Sequence, residues 1–157
     1  MRRIATFLAL ARADKLLALE ALSTVAAVRI ALHWVAIERL RAWAGRVTPG
    51  TPPLRKSVEK SVERIAWAVG AASRLLPRTS CLASAFALQR VLSKEGHGSD
   101  LHIGVAKQGE KFSAHAWLAC EGRILVGEVE HGRFTQLVAW KAVGDPGPAV
   151  AGKPDAA

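Results

Sequence analysis

Between Thr79 and Val126 the spacing of the hydrophobic residues changes from a helical period to a two-residue alternation. The first part carries apolar residues at positions typical of one helix face: Leu82, Ala85, Phe86, Leu88 and Leu92. Ser80 or Thr79 is suited to cap the N-terminus of this helix, and Gly96 is suited to terminate it. We therefore expect a helix from about residue 81 to about residue 95.

The second part predicts an antiparallel meander of three strands. Residues 101–105 alternate, a turn follows around 108–110, and the chain returns over 112–120 before a turn at 121–122 leads into 123–126. A helix followed by such a meander is expected to pack on it, which gives an α+β fold.

Two residues of these elements have the side chains of a nucleophile and its base. Cys81 opens the helix, where the unpaired backbone N–H groups stabilise an anion and hence the reactive thiolate. His115 lies on the middle strand. A cysteine at a helix start paired with a histidine on a neighbouring strand is the arrangement of papain-like and transglutaminase-like cysteine enzymes, which transfer acyl groups.

The region from about residue 65 to about residue 137 contains five short segments in a distinctive order. They are 81–92 (CLASAFALQRVL), 101–105 (LHIGV), 114–118 (AHAWL), 121–123 (EGR) and 133–137 (RFTQL). As an ordered set they resemble the lasso-peptide maturation peptidases, the B proteins of the transglutaminase-like superfamily. The amphipathic N-terminal helices resemble those of the stand-alone, split form of this family.

The resemblance implies a transglutaminase-like or papain-like cysteine peptidase core, in which the nucleophile helix packs on the antiparallel meander. Its implied activity is removal of the leader from a ribosomally made precursor peptide, with no metal or cofactor. A separate small leader-recognition protein is the implied partner, because the first 55 or so residues are predicted to be helices rather than the recognition module of fused members. An ATP-dependent cyclase of the same pathway is a possible further partner.

The resemblance assigns two catalytic residues and leaves the third open. Cys81 matches the nucleophile and His115 matches the base. The family has an Asp twelve residues after the histidine, where this chain has Gly127. Glu128 is the candidate third residue if the strand pairing shifts by one position. A backbone carbonyl or amide that orients the imidazole is the alternative, since the third group mainly sets the tautomer and orientation of the ring.

Other residues near the proposed site have less specific interpretations. Cys120 is five positions beyond His115 and so is expected to point to the opposite strand face, as a buried free thiol. Trp117 shares the face of His115 and either shields the imidazole or packs in the core. His102 and His131 are expected to be surface or turn residues. A zinc site built from the cysteines and histidines has no usual ligand spacing, so we expect none.

The formal net charge of +9 is concentrated at the N-terminus. Residues 1–56 contain ten Lys and Arg against three acidic residues, a net +7. No nucleic-acid recognition signature accompanies this charge, so we expect no nucleic-acid partner. An acidic partner, an anionic membrane surface and solvated helix faces all remain compatible with it.

The N-terminal segment is apolar without having the pattern of a membrane-spanning helix. Glu20, Arg29 and His33 interrupt residues 16–37, so no run of 18 uncharged apolar residues exists. Residues 4–11 form too short a stretch for a typical signal peptide, and we expect a cytoplasmic protein. The segment is expected to dock on the catalytic domain or on a partner, with peripheral membrane contact as the alternative.

Three regions follow from these patterns. They are amphipathic helices and a linker over 1–53, a transglutaminase-like peptidase domain over 54–143, and a disordered tail over 144–157. The domain is expected to begin with a helix over about 54–76 and to end with a strand within 134–143.

Two other functions share these features. The first is a transglutaminase-like acyltransferase, in which an amine rather than water captures the acyl group. The second is an inactive leader-binding or partner-binding adaptor that has lost its acidic residue.

Overall fold

The computed structural model of the chain describes residues 11–47, 55–108, 111–127, 134–142 and 149–150. Helices come first and strands second. The elements are α1 (Arg12–Trp34), α2 (Ile37–Ala44), α3 (Arg55–Leu75), α4 (Cys81–Lys94), β1 (Asp100–Gln108), β2 (Lys111–Cys120), β3 (Arg123–Val126), β4 (Thr135–Lys141) and β5 (Ala149–Val150). The predicted combination of helices with an antiparallel sheet is confirmed.

Helix α4 begins and ends close to the predicted positions because local chemistry fixes both ends. Ser80 is its N-cap, and the Ser80 side chain accepts a hydrogen bond from the backbone N–H of Ala83 at 3.1 Å. The helix ends at Lys94, and Gly96 follows with a φ of 83°, a left-handed conformation that favours glycine. Cys81 is therefore the first residue of a capped helix.

The five strands form one antiparallel sheet with the order β3-β2-β1-β4-β5. The predicted β1-β2-β3 meander is confirmed. In the β1–β2 hairpin Gln108 pairs with Lys111, so two residues separate the strands. Strand β4 pairs with the free edge of β1, and the backbone N–H of Ala142 donates to the Ser99 carbonyl just beyond it, at 2.8 Å.

Helix α4 lies at the centre of the hydrophobic core. Its Phe86 ring stacks on Trp140 of β4, with ring centroids 5.9 Å apart. The buried residues of the sheet that belong to the same core are Leu101, Ala116, Leu118 and Cys120. The N-terminal helices and α3 add Ala21, Val25, Val28, Leu40, Ala44, Val62, Ile65, Ala68, Val69 and Ala72. The described N-terminal helices therefore share one core with the helix that begins at Cys81.

Helix α1 packs against α3 and α4. Its residues Ala21, Val25 and Val28 are fully buried. Within the described part of the chain, α1 is long and apolar enough to cross a membrane when judged by length and composition alone. One face of α1 nevertheless belongs to the protein core.

Several predicted segments fall partly outside the described residues. The expected start of the first helix, at residues 4–10, does so, as do residues 48–53 of the expected linker. In the region expected to be a disordered tail, the structure describes only Ala149–Val150, which form β5 against Val138 and Ala139 of β4.

Candidate active site

Cys81 occupies a defined position at the start of α4. Its side chain is half-buried and packs against the core. One turn further along, the Ser84 hydroxyl lies 2.9 Å from the Ser73 hydroxyl, which ties the first turn of α4 to α3. The Ser80 hydroxyl oxygen accepts a hydrogen bond from one of the first backbone N–H groups of the helix, that of Ala83. The Cys81 thiol therefore lies at the positive end of α4. The Ser80 cap and the Ser84–Ser73 contact hold this end of the helix in place.

His115 lies on β2, and its ring contacts Gly127, Trp117 and Phe134. Its Nε2 is 3.3 Å from the carbonyl oxygen of Gly127. The ring stacks on Trp117 at a centroid distance of 6.3 Å and packs against Phe134 at 5.1 Å. Because a carbonyl oxygen can only accept, Nε2 of His115 donates a hydrogen bond to Gly127 when the ring carries a proton on Nε2. In the neutral ring the lone pair is then on Nδ1.

Position 127, where the lasso-peptide peptidases that the sequence resembles have an Asp, lies directly beside the imidazole. A Cβ atom built on Gly127 would be 2.8 Å from Nε2 of His115 and 2.8 Å from Cβ of Trp117. Gly127 also has a φ of 84°, in the left-handed region. With His115 where it is, only glycine fits at this position. Glu128, the predicted third residue, lies outside the described residues.

Trp117 lies between two imidazole rings on one face of the sheet. It stacks on His102, with ring centroids 5.4 Å apart and an angle of 8° between the ring planes. It also stacks on His115. Nδ1 of His102 is 2.9 Å from Oε1 of Gln136. Gly104 makes room for this arrangement, since a Cβ there would be 2.9 Å from Cζ3 of Trp117. Trp117 is thus both buried and in contact with His115.

His115 and the core contacts of α4 are on opposite faces of β2. Side chains alternate along a strand, so His115 and Trp117 share one face, while Ala116 and Leu118 point to the other. Ala116 and Leu118 belong to the core that α4 fills. His115 therefore projects from the sheet face that α4 does not cover.

From the lengths of α4 and β1 we infer that Cys81 and His115 lie toward the same end of the unit formed by α4 and the sheet. Gln89 of α4 hydrogen-bonds through Nε2 to the carbonyl of Ser99, just before β1. Going back from Gln89 to Cys81 covers about 12 Å of helix. The same distance along β1 covers between about three and four residues and ends just before Gly104, the partner of His115.

No hydrogen bond joins the Cys81 thiol to His115 in the part of the chain that the structure describes. Hydrogen bonds between catalytic groups are often long in unliganded enzymes and tighten when substrate binds. The structure thus positions the two groups on neighbouring elements, α4 and β2, without a direct bond between them.

Cys120 is more deeply buried than Cys81. It is buried on the core face of β2, and its thiol is 3.2 Å from the Gly98 carbonyl. Burial, with a smaller effect of Glu121, raises the pKa of the Cys120 thiol. Both cysteines are free thiols, as predicted. Because Cys120 and His115 point to opposite faces, they do not line a common site.

Three neighbours of the site were not anticipated from the sequence: Phe134, Gln136 and Gly104. The first two reach the site because β4 pairs with β1, and no local pattern in the sequence signals this non-local pairing. Gly104 pairs with His115 in the β1–β2 register. The position of the hairpin turn fixes this pairing, so the turn was the sequence signal that could have identified Gly104 as a neighbour of His115. His131 lies outside the described residues. The described residues hold no group of three or more His, Cys, Asp or Glu side chains suited to a metal ion.

The sequence profile of the transglutaminase-like superfamily matches residues 22–139. No curated protein matches the chain, and no solved structure matches it. The profile match extends over more than half of the 157 residues and contains Cys81, His115 and Gly127. The chain therefore belongs to the transglutaminase-like superfamily.

Proposed function

We propose that this protein is a cysteine peptidase that removes the leader from a lasso-peptide precursor. Members of the superfamily are typically cysteine peptidases or acyltransferases. The observation that most supports a working site is the contact of position 127 with His115, because this is where the family pattern has its orienting residue. The leader substrate rests on the resemblance of the five ordered segments.

In the proposed first step, the Cys81 thiolate attacks the carbonyl carbon at the leader–core junction. His115 takes the thiol proton on Nδ1, the nitrogen that carries the lone pair when Nε2–H donates to Gly127. The helix N-terminus favours the thiolate and, through the backbone N–H of Cys81, stabilises the oxyanion of the tetrahedral intermediate.

In the following steps the protonated His115 gives its proton to the departing amine of the core peptide. The leader then remains on Cys81 as a thioester. His115 removes a proton from a water molecule, which attacks the thioester carbonyl, and the proton finally returns to the Cys81 sulfur. The products are the leader acid and a core peptide with a free N-terminus.

The Gly127 carbonyl is our proposed orienting group for His115. A backbone acceptor fixes the tautomer and the ring orientation, the two roles of a triad carboxylate that do not require a charge. A carbonyl gives an imidazolium less electrostatic stabilisation than a carboxylate would. The Trp117 ring stacks on His115 and the Phe134 ring packs against it at a tilt. Glu128, directly after Gly127, remains the alternative acid.

The proposed partners are the precursor peptide and a small leader-recognition protein. Leader binding by a second protein would supply the precursor affinity, while this chain supplies the reacting groups. Association with the ATP-dependent cyclase, which would close the freed core N-terminus onto an Asp or Glu side chain, belongs to the same proposal.

The direct assay is mass spectrometry of the precursor peptide after incubation with this protein, with and without the recognition protein. Cys81→Ala is the test variant and Cys120→Ala the matched cysteine control. We expect cleavage at one bond by the unmodified chain and by Cys120→Ala, and none by Cys81→Ala. Equal cleavage by Cys81→Ala would overturn the peptidase assignment.

The same assay separates the other two functions. Added amines such as lysine methyl ester would appear on the leader C-terminus if the acyl-enzyme preferred an amine to water. An intact precursor under all conditions, with measurable binding to the protein, would identify an adaptor.

A further inference from the structure

We propose that the outer face of α1 binds an anionic lipid surface, with the helix lying parallel to the membrane plane. This inference is independent of the proposed peptidase activity. Four large apolar side chains of α1 are exposed: Leu16 at 69%, Leu19 at 54%, Ile30 at 65% and Trp34 at 86%. Isolated exposed apolar residues are common. The spacing of these four residues along the helix therefore decides whether they form a binding face.

The four exposed residues form one continuous stripe. At 100° per residue, Leu16, Leu19, Ile30 and Trp34 fall within an arc of about 60°. Ser23 and Ala27, which fill the stripe between Leu19 and Ile30, are small and exposed. The outer face of α1, defined by these six residues, contains no charged side chain from Leu16 to Trp34. It is continuous over about 27 Å of helix.

The opposite side of α1 is apolar for a different reason, since Ala21, Val25 and Val28 are buried in the core. A helix that is apolar on both sides is either fully enclosed or in contact with something outside the fold. Because the inner side cannot leave the core without unfolding the protein, α1 cannot span a bilayer in this structure. The helix would instead lie at the interface with its outer face in the lipid.

The charges around α1 are arranged to favour an anionic surface. Its two acidic residues point toward the protein, where Asp14 forms an ion pair with Arg64 of α3 and Glu20 forms one with Lys94 of α4. Arg12 continues the outer face at its N-terminal end. Both acids are ion-paired, so the basic residues Arg12, Lys15 and Arg29 of α1 outweigh them at its surface.

The position of Trp34 also fits the lipid interface. It is the last residue of α1 and the most exposed of the large apolar residues described. Tryptophan favours the headgroup region, where its ring contacts acyl chains and its N–H stays hydrated. An outer face with one aromatic and several aliphatic residues, and with Arg12 at its N-terminal end, thus matches an anionic bilayer better than an acidic protein groove.

The test is co-sedimentation of the full chain with vesicles of phosphatidylcholine and phosphatidylglycerol in a 3:1 ratio, and with vesicles of phosphatidylcholine alone. The test variant replaces Leu16, Ile30 and Trp34 with Gln. The control variant replaces Trp67 and Leu75 of α3, exposed by 53% and 56%, with Gln. Circular dichroism before sedimentation establishes that both variants are folded.

We expect binding to the anionic vesicles, a loss of roughly tenfold or more in the α1 variant, and unchanged binding in the α3 control. Binding should also weaken in high salt and on neutral vesicles. Absence of binding to anionic vesicles would overturn the proposal, as would equal binding by the α1 variant. Self-association that the α1 substitutions abolish, without vesicle binding, would assign the face to a second copy of the chain.

Discussion

The backbone carbonyl of Gly127 lies 3.3 Å from Nε2 of His115, at the sequence position where the family pattern has an aspartate. The main chain thus supplies the acceptor that we propose in place of a carboxylate. This substitution depends on glycine, because a Cβ at the same position would lie 2.8 Å from Nε2.

Gly127→Ala is expected to lower the rate of precursor cleavage on the order of 10- to 100-fold, because the new methyl group displaces the imidazole from its acceptor. Gly122→Ala is the matched control. Gly122 has a similar φ of 75°, but its Cβ would meet nothing within 4 Å. Both variants carry the left-handed backbone cost of about 1–2 kcal/mol, and thermal unfolding of Gly122→Ala measures that cost without a steric clash. Equal cleavage rates in the two variants would refute the role of the Gly127 contact.

Substitutions of Ser80 test the environment of the nucleophile. Ser80→Ala removes the cap and is expected to lower the free energy of unfolding by about 1 kcal/mol. Ser80→Asp keeps a cap but adds a carboxylate next to Cys81, which repels the thiolate. Stability measured in urea should therefore be retained in Ser80→Asp, while alkylation of Cys81 by iodoacetamide slows. Faster alkylation in Ser80→Asp than in the unmodified chain would contradict this account of the helix start.

The two thiols should differ strongly in reactivity. At pH 8 iodoacetamide is expected to modify Cys81 at least about tenfold faster than Cys120, because Cys120 is buried and its pKa is raised. A raised pKa means that the folded state holds the Cys120 proton more tightly than the unfolded chain does. The stabilisation is complete below the ordinary pKa of the thiol and is lost as the pH rises through the raised value.

The matching measurement is peptide mapping by mass spectrometry after timed alkylation, with urea-unfolded protein as the reference for full access. The loss of stability at alkaline pH should be smaller in Cys120→Ala. Modification of Cys120 at the rate of Cys81 in the folded protein would exclude the buried thiol described here.

Arg90 connects α4 to the end of α2. Its guanidinium donates to the carbonyls of Trp43 and Arg46 at 3.2 and 3.3 Å and lies 4.9 Å from the centre of the Trp43 ring. Arg90→Met keeps the aliphatic stem and is expected to lower the free energy of unfolding by about 1–3 kcal/mol. Arg39→Met, on the exposed side of α2, serves as the control in urea unfolding. An equal effect of both substitutions would show that the Arg90 contacts add no stability.

The sequence predicted those parts of the fold that local chemistry determines. Ser80 caps α4 one residue before Cys81, and glycine at position 96 follows its last turn, so both ends of this helix were readable. The two-residue alternation from Leu101 to Cys120 likewise predicted a hairpin, and it placed His115 and Cys120 on opposite faces.

The remaining features depend on pairings between distant segments. Strand β4 returns to the edge of β1 and brings Phe134 and Gln136 to the face of His115. A register shift between Leu118 and Ala119 in the β2–β3 pair changes which residues of the two strands lie opposite each other just before Gly127. Neither feature follows from hydrophobic period, because a one-residue change of register leaves the local pattern of each strand the same while changing every cross-strand neighbour.

The most direct test of the proposed chemistry is to trap the acyl-enzyme. The protein is mixed with the precursor and the recognition protein, quenched in acid within the first turnover, and its intact mass is measured. We expect an adduct equal to the leader acid less one water, bound at Cys81 and absent in Cys81→Ala, with the free core released in equal amount. Cleavage of the precursor at full rate without any adduct, or an adduct on another residue, would contradict it.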